Sequence, residues 1–384
     1  MDLEKETLIL DELINFKIKE IPDNIKFWMV RTQKGYFFEE FIREGFIALG
    51  WNSIDDNTNF SESSREALRE SVNEDFPNTK RPGLVINKCY NFIHEVHIND
   101  IIIVPSEKTA RIAIVQAGEY YEDADKTLEL EKETILLIDK SELAINQVKC
   151  PYKKRRHIKV LKIVEKDELN YHLLNAISSY HGINLLDDYA TIILGHLYNV
   201  FTYKDDIFLV YNIRQTGAIS PIALSSLLYG SAKYISNSVE ENKLSTKVNL
   251  NSIGDVKFII EKGWEIISNN GAITIGILIV IMGGSAVGIK CKGIPQFLKE
   301  ILSLKVDKEI KTAELEGVKL NNLEKKIKIF QQMQSNNITI EMLERLGEAE
   351  KDIETLKITP IDLMEEADFK DAEINDIQII QPSE

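Results

Sequence analysis

The chain has 384 residues, and 44% of them are hydrophobic, which is enough for the cores of two to three domains and excludes an intrinsically disordered protein. Its 46 basic and 61 acidic residues give a formal charge of −15, which excludes nucleic-acid binding through bulk positive charge and leaves only a local patch for that purpose. The cysteines Cys89, Cys150 and Cys291 are odd in number and far apart, so they predict neither disulfides nor a zinc site, and a reducing cytoplasm fits them.

Residues 1–25 predict an N-terminal helical arm, because leucine and isoleucine recur partly at helical spacing. Residues 26–165 predict a mixed α/β domain, with strands at FWMVRT, FIALGW, IIIVP and RIAIVQAGEYY. A helix is predicted over KGYFFEEFIREG, and residues 61–96 are mainly helical in pattern. A last strand, PYKKRRHIKVLKIV, begins with a basic run.

The remainder of the chain divides by composition at residues 166–260, 264–290, 295–357 and 358–384. The first of these segments predicts helices and then a small α/β domain, in which Ser220 and Pro221 are typical of an N-cap and a first helical turn. Residues 295–357 predict a helical region with a short coiled-coil spacing. Residues 358–384 predict an acidic, solvated tail.

Three short stretches in the first domain occur together in a distinctive order: residues 28–31 (WMVR), 35–41 (GYFFEEF) and 46–51 (FIALGW). With the strands that follow, they resemble EVE-like domains of the PUA superfamily, found at the N-terminus of some bacterial restriction and antiviral-defence proteins. The resemblance covers about residues 26–165 and departs from the family at Asn99-Asp100, where a Gly-Asp turn is common. It implies a small β-barrel-like fold with a concave face that can hold a base or a nucleotide.

The residue types that such a face needs are present, since aromatic rings stack on bases and a guanidinium contacts base edges or phosphates. The predicted nucleic-acid- or nucleotide-binding residues are Trp28, Arg31, Tyr36, Trp51, Tyr120, Lys153, Lys154, Arg155 and Arg156. The last four open the densest positive patch of the chain, because residues 153–162 contain no acid. Two structural alternatives stay open. Tryptophans at strand ends also pack in cores, and runs of lysine and arginine also form solvated strand edges.

Residues 272–289, AITIGILIVIMGGSAVGI, carry no charge. As a helix they would span roughly 27 Å, close to the ~30 Å of a bilayer core, which predicts a transmembrane segment. Small residues would allow close helix packing and oligomerisation there: Gly276, Gly283, Gly284 and Gly288. A buried strand is the second interpretation, because isoleucine alternates from 273 to 281. A phosphate loop is the third, although Ile289 precedes the lysine that such a loop needs directly after glycine.

The predicted fold class is α+β, with an N-terminal PUA/EVE-like β-barrel domain, a small middle α/β domain, a single Gly-rich apolar helix, a C-terminal helical region and an acidic tail. No Ser-His-Asp, HExxH or CxxC pattern is present, so we expect no catalytic residue, no metal site, no cofactor and no enzyme. A nuclease with an unrecognised site stays an alternative.

The function that these elements predict is that of a non-enzymatic antiviral-defence sensor and effector. Its EVE-like domain would bind a nucleic acid or nucleotide signal, and its apolar segment would insert or oligomerise at the inner membrane. The expected partners are therefore nucleic acid, membrane lipid, further copies of the chain and other proteins of a defence operon. The alternative is a soluble module of a restriction-type system that binds modified bases in DNA or RNA, with the apolar segment buried as core.

Overall fold

The computed structural model describes residues 3–140, 148–179, 182–215, 217–236, 239–251, 253–263, 275–277, 294–303, 317–359, 361, 363–365 and 367. The chain divides into two compact units. We call Pro22–Ile193 with Leu363–Glu384 the amino-terminal unit, and Met1–Ile21 with Leu194–Asp362 the carboxyl-terminal unit.

Secondary structure is numbered along the chain. The strands are β1 Lys19–Glu20, β2 Phe27–Val30, β3 Phe46–Leu49, β4 Ile101–Pro105, β5 Arg111–Glu122, β6 Lys154–Glu165, β7 Ile183–Leu185, β8 Val200–Tyr203, β9 Asp206–Ile213, β10 Leu244–Asn251, β11 Ile253–Ile260 and β12 Ile358–Thr359. The α-helices are α1 Leu3–Asn15, α2 Phe38–Glu44, α3 Arg65–Asp75, α4 Pro82–Tyr90, α5 Leu128–Asp139, α6 Tyr171–Ser179, α7 Ala190–Leu197, α8 Pro221–Ile235, α9 Ile294–Leu302, α10 Gly317–Ser335 and α11 Ile340–Leu356.

The amino-terminal unit is built on a six-stranded mixed sheet of order β3-β6-β5-β4-β2-β7. Strands β4, β5 and β6 pair antiparallel, whereas β2 runs parallel to β4. The pairing of β5 with β6 shifts register between Ile114 and Val115 and again between Ala117 and Tyr120. Such bulges bend long strands. The sheet packs on an aromatic and aliphatic core.

Helix α2 closes one side of this core, because Phe38 and Phe41 are spaced three residues apart and both are buried. The acidic residues Glu39 and Glu40 lie in its first turn, where their negative charges interact favourably with the helix dipole. The helix ends at Gly45, whose φ of 70° is a left-handed conformation that glycine adopts without steric cost.

The carboxyl-terminal unit contains a second sheet of order β1-β8-β9-β11-β10, with β12 also paired to β9. Its core joins one face of this sheet to helices from both ends of the chain. Helix α1 packs against α10, where Thr7 and Asn322 share hydrogen bonds of 2.9 and 3.3 Å and Lys326 pairs with Glu6 at 3.0 Å. The predicted N-terminal arm thus packs in the same unit as the predicted middle and helical regions.

The prediction of a single transmembrane helix is wrong, because no helix of the described residues is long and apolar enough to cross a membrane. Within the uncharged segment, residues 275–277 are described and are helical. Ile275 and Ile277 are 4% and 0% exposed in the core of the carboxyl-terminal unit, and a Cβ on Gly276 would lie 3.1 Å from the Phe16 ring. At these positions the uncharged segment therefore forms part of the protein core. The predicted Gly283, Gly284 and Gly288 lie outside the described residues.

The predicted fold class is corrected in the same way. The described residues form a mixed α/β protein with two sheets, one of them a half-barrel, and the described parts of the predicted middle and C-terminal helical regions belong largely to one unit. The physical reason is that the partners of α8 and α1 are the distant helices α11 and α10, which no local pattern identifies.

Candidate functional site

The basic run at residues 153–156 opens strand β6 and is directed largely into the protein. Lys154 is fully buried, and its ammonium group donates hydrogen bonds to the carbonyl oxygens of Trp51 at 2.7 Å and Ile54 at 2.6 Å. Burial lowers the pKa of Lys154, which is the expected effect of removing a cation from water. Its contacts are those of a structural lysine that holds the chain at residues 51–54.

Both arginines of the run are also buried and donate to backbone carbonyl oxygens. The acceptors for Arg156 are Phe92 at 3.0 Å, Ile93 at 2.9 Å and Gly118 at 3.2 Å, and those for Arg155 are Tyr152 at 3.1 Å and Cys150 at 3.3 Å. Burial lowers the pKa of Arg156 to about 10. Lys153, which is more exposed, pairs with Asp55 at 2.8 Å and Glu122 at 2.9 Å. The run is therefore bonded to the protein itself.

Three predicted aromatic residues have partners of their own. Trp28 is 3% exposed, and its indole Nε1–H donates to the Asp100 carboxylate at 2.8 Å. The ring of Tyr36 is buried with the ammonium of Lys108 3.6 Å from its centroid. Tyr120 donates its hydroxyl to the Glu122 carboxylate at 2.7 Å. The buried Trp28 ring is core packing, which was the structural alternative for this residue.

Two other predicted residues, Arg31 and Trp51, are linked through Gly182 and Lys88. The backbone N–H of Arg31 donates to the carbonyl oxygen of Gly182 at 2.9 Å. A Cβ on Gly182 would lie 3.3 Å from the Nζ of Lys88, and that Nζ lies 5.9 Å from the centroid of the Trp51 ring. We call these four residues, Arg31, Trp51, Lys88 and Gly182, the Trp51 face.

Trp51 adopts a left-handed backbone conformation, with φ of 63°, which is rare for an aromatic residue and costs about 1–3 kcal/mol. A buried carboxylate holds it there: Glu131 accepts the backbone N–H groups of Trp51 and Asn52, each at 2.7 Å. Burial raises the pKa of Glu131, while these two hydrogen bonds act in the opposite direction. Lys154 donates a hydrogen bond to the Trp51 carbonyl oxygen as well. The partly exposed indole ring is thus presented by a fixed backbone.

The two cations of the Trp51 face differ in their partners. The Arg31 guanidinium pairs with Glu107 and donates to the carbonyl oxygens of Ile177 and Ser178. Lys88 is half-buried, burial lowers its pKa, and within the described ranges no carboxylate forms an ion pair with it. A cation without a carboxylate partner is the group of this face that attracts an anion most directly. No motif marks Lys88 in the sequence, because its neighbour Gly182 lies 94 residues away in the chain.

The described residues offer no other reactive centre of a recognised kind. In the part of the chain that the structure covers, no three His, Cys, Asp or Glu side chains are grouped to hold a metal ion. The thiols of Cys89 and Cys150 are free but fully buried, and burial raises the pKa of Cys89 to about 11. A neutral, inaccessible thiol is a poor nucleophile.

Residues 26–169 match the family model of a domain of unknown function, DUF8426. The match covers well under half of the chain and includes the strands on which the EVE-like resemblance depends. No curated protein and no solved structure matches the chain. The resemblance to EVE-like domains therefore stays a prediction.

Proposed function

We propose that the amino-terminal unit binds a nucleic acid or a nucleotide on the Trp51 face. The observation that carries the proposal is the partly exposed Trp51 ring, fixed in a left-handed conformation, with the Lys88 ammonium 5.9 Å from its centroid. A rigid aromatic ring can stack on a base of any sequence, and a neighbouring ammonium group can attract the phosphate attached to it.

The charges of the unit predict how such binding would depend on salt. When the logarithm of the binding constant is plotted against the logarithm of the salt concentration, each neutralised phosphate contributes about −0.7 to −0.9 to the slope. Four basic residues, Lys153, Lys154, Arg155 and Arg156, are engaged with protein oxygens, whereas Lys88 has no ion pair among the described residues. We therefore expect a slope near −1, which is typical of one phosphate contact rather than of a tracked backbone.

The experiment is a titration of the full chain against labelled single-stranded DNA, double-stranded DNA, RNA and mononucleotides, followed by fluorescence anisotropy at several salt concentrations. Trp51→Ala should weaken binding about 5- to 150-fold, the loss expected for one stacked base, whereas Trp51→Phe should keep most of the affinity. Lys88→Met should reduce the salt slope by about one.

A matched control is Lys132→Met. Its ammonium lies 5.7 Å from the centroid of the Phe76 ring, but it also pairs with Asp75 at 3.3 Å, so it has the same kind of aromatic contact with its charge already balanced. This variant should bind as the wild-type chain does. The proposal fails if no nucleic acid or nucleotide binds at low salt, or if Trp51→Ala and Lys88→Met bind like the control.

The burial of the described part of the apolar segment favours the alternative function expected from the sequence, a module that binds modified bases and has this segment in its core. Ile275 and Ile277 are buried among protein side chains, which supports a module whose apolar segment is core at these positions. The proposal accordingly contains no membrane step. A role in antiviral defence, which the resemblance implies, stays a prediction.

A further inference from the structure

Strand β10 is an outer strand of the carboxyl-terminal sheet. It pairs antiparallel with β11 along its length, and within the described part of the chain no strand pairs with its other edge. The residues in its middle are all exposed: Ser245, Thr246, Lys247 and Val248. Alternate residues of an outer strand direct their backbone N–H and C=O groups away from the sheet, so this edge offers hydrogen bonds to a further strand.

The face of β10 that belongs to the core is only partly covered. Leu244 and Leu250, near its two ends, pack against the core, whereas Val248 between them is 47% exposed. Val248 stands opposite Val256 of β11, whose side chain is fully buried in that core. The apolar surface of the core thus extends to the open edge, and a further strand there would remove it from water.

A second copy of β10 fits this edge in a register that the charges of the strand select. Two copies related by a two-fold axis normal to the sheet pair antiparallel, and residues that stand opposite each other share a face. Because β10 covers residues 244–251, the longest pairings are centred on Lys247, over residues 244–250, or on Val248, over residues 245–251. Centring on Lys247 would place this exposed cation directly opposite its own copy, which is unfavourable.

Centring on Val248 avoids this repulsion and adds favourable contacts. The exposed Val248 side chain would pack against its own copy, and Lys247 would stand opposite Asn249 of the second copy. Asn249 donates its Nδ2–H to Asp255 of β11 at 3.2 Å, so its Oδ1 is the atom that would accept from the incoming ammonium group. Asp255 lies in the same row as Asn249, and its carboxylate gives this row the charge opposite to that of Lys247.

We propose that the chain forms a two-fold homodimer through β10, in the register centred on Val248, which joins two carboxyl-terminal sheets into one. Lys247 selects the register by repulsion in the alternative one. One strand pair is at the small end of specific interfaces, which typically bury roughly 1,200–2,000 Å², so the dimer dissociates on dilution. The proposal does not depend on the Trp51 face.

The first test is sedimentation velocity of the full chain from about 1 to 300 µM, the range in which small interfaces dissociate. The mean mass of the wild-type chain should rise with concentration. Val248→Lys places a cation opposite its own copy and should weaken association at least about 10-fold. Thr246→Lys is the matched control, because Thr246 is also exposed on this face of β10 but would stand opposite Leu250 of the second copy. It should change the association by less than about threefold.

The second test is oxidative cross-linking of Val248→Cys with diamide, which accepts two electrons and two protons as two thiols join in a disulfide. Opposed residues have Cα atoms about 4.5–5.5 Å apart, within the range that a disulfide spans. In Thr246→Cys the two thiols would be offset by four residues, about 14 Å, and should not join. We expect covalent dimer to form at least about tenfold faster in Val248→Cys. The wild-type chain is the reference for its own cysteines.

Hydrogen exchange of residues 245–251 distinguishes other occupants of the edge. Protection of the outward amides at concentrations where the chain is monomeric would show that another segment of the same chain covers β10. A chain that stays monomeric at about 300 µM with exchanging amides would leave the edge to a different protein. Either result overturns the proposal, and so does association of Val248→Lys equal to that of the wild-type chain, or cross-linking of Val248→Cys no faster than that of Thr246→Cys.

Discussion

Replacing Lys154 by methionine separates a structural role of the basic run from a binding role. Methionine keeps most of the volume of the buried stem but removes the donor to the carbonyl oxygens of Trp51 and Ile54. Each hydrogen bond to a charged group contributes about 1.5–3 kcal/mol, so two contribute roughly 3–6 kcal/mol. The cost of burying the ammonium group, seen in the lowered pKa of Lys154, is relieved by the substitution. We expect a net loss of about 2–4 kcal/mol in the amino-terminal unit.

Hydrogen exchange measured by mass spectrometry is the suitable assay, because a chain of two units is not expected to unfold in one cooperative step. A loss of 2–4 kcal/mol should make amides of residues 46–54 exchange about 30- to 1,000-fold faster. Lys153→Met is the matched control, since its partly exposed ion pairs with Asp55 and Glu122 should contribute only about 1 kcal/mol.

The reasoning is refuted by a specific pair of results. If Lys154→Met keeps wild-type exchange rates at residues 46–54 and yet loses nucleic-acid affinity, the ammonium group contacts the ligand rather than the Trp51 carbonyl. A loss of affinity that accompanies faster exchange would instead agree with a lysine that acts by holding Trp51 in place.

Three other predictions concern groups that the structure buries. Gly276→Val should lower the unfolding temperature, at a cost of about 1–3 kcal/mol, because even a Cβ there lies 3.1 Å from the Phe16 ring; an unchanged temperature would contradict the core assignment. Burial lowers the pKa of Lys257 from 10.5 to about 8, so between these pH values the unfolded state binds more protons. The free energy of unfolding, measured in urea, should therefore rise with pH by up to about 3 kcal/mol relative to Lys257→Met, and a constant difference would speak against it. Trp28→Phe removes the Nε1–H donor to Asp100 and should cost about 1–2 kcal/mol in thermal unfolding without changing nucleic-acid affinity.

The strands of the amino-terminal unit could be located from the sequence because local pattern decides them. The runs FWMV, FIAL and IIIVP are continuous, β-rich and apolar, and they occupy β2, β3 and β4, which are buried on both faces. The sequence pattern does not predict which strands pair with one another. Strand β2 pairs parallel with β4, more than 70 residues later, and antiparallel with β7.

The burial of most of the basic run could not be predicted from the sequence for a related reason. Lysine and arginine are seldom fully buried, so four in succession predict a solvated surface. The buried Lys154 and Arg156 donate to carbonyl oxygens at positions such as Trp51, Phe92 and Gly118, which lie 38 to 103 residues away in the chain. These acceptors are backbone groups, so no pattern of side chains in the sequence predicts them.

The apolar segment shows the same limit in energetic terms. Isoleucine-rich, uncharged residues gain free energy on leaving water whether they enter lipid or a protein core, so composition alone does not distinguish the two. The contact of Gly276 with Phe16, from the start of the chain, makes the distinction at the described positions.

The arrangement of cations in the amino-terminal unit bears on how an acidic protein could bind a nucleic acid. Because the basic residues at 153–156 bond to carbonyl oxygens and carboxylates of the protein, we expect few phosphate contacts from them. Under the proposed function, we expect recognition to depend mainly on the base, which would stack on the Trp51 ring whose backbone Glu131 already fixes. Binding at the Trp51 face should consequently survive an increase in salt that abolishes charge-led binding, and its sensitivity to the stacked base should exceed its sensitivity to strand length.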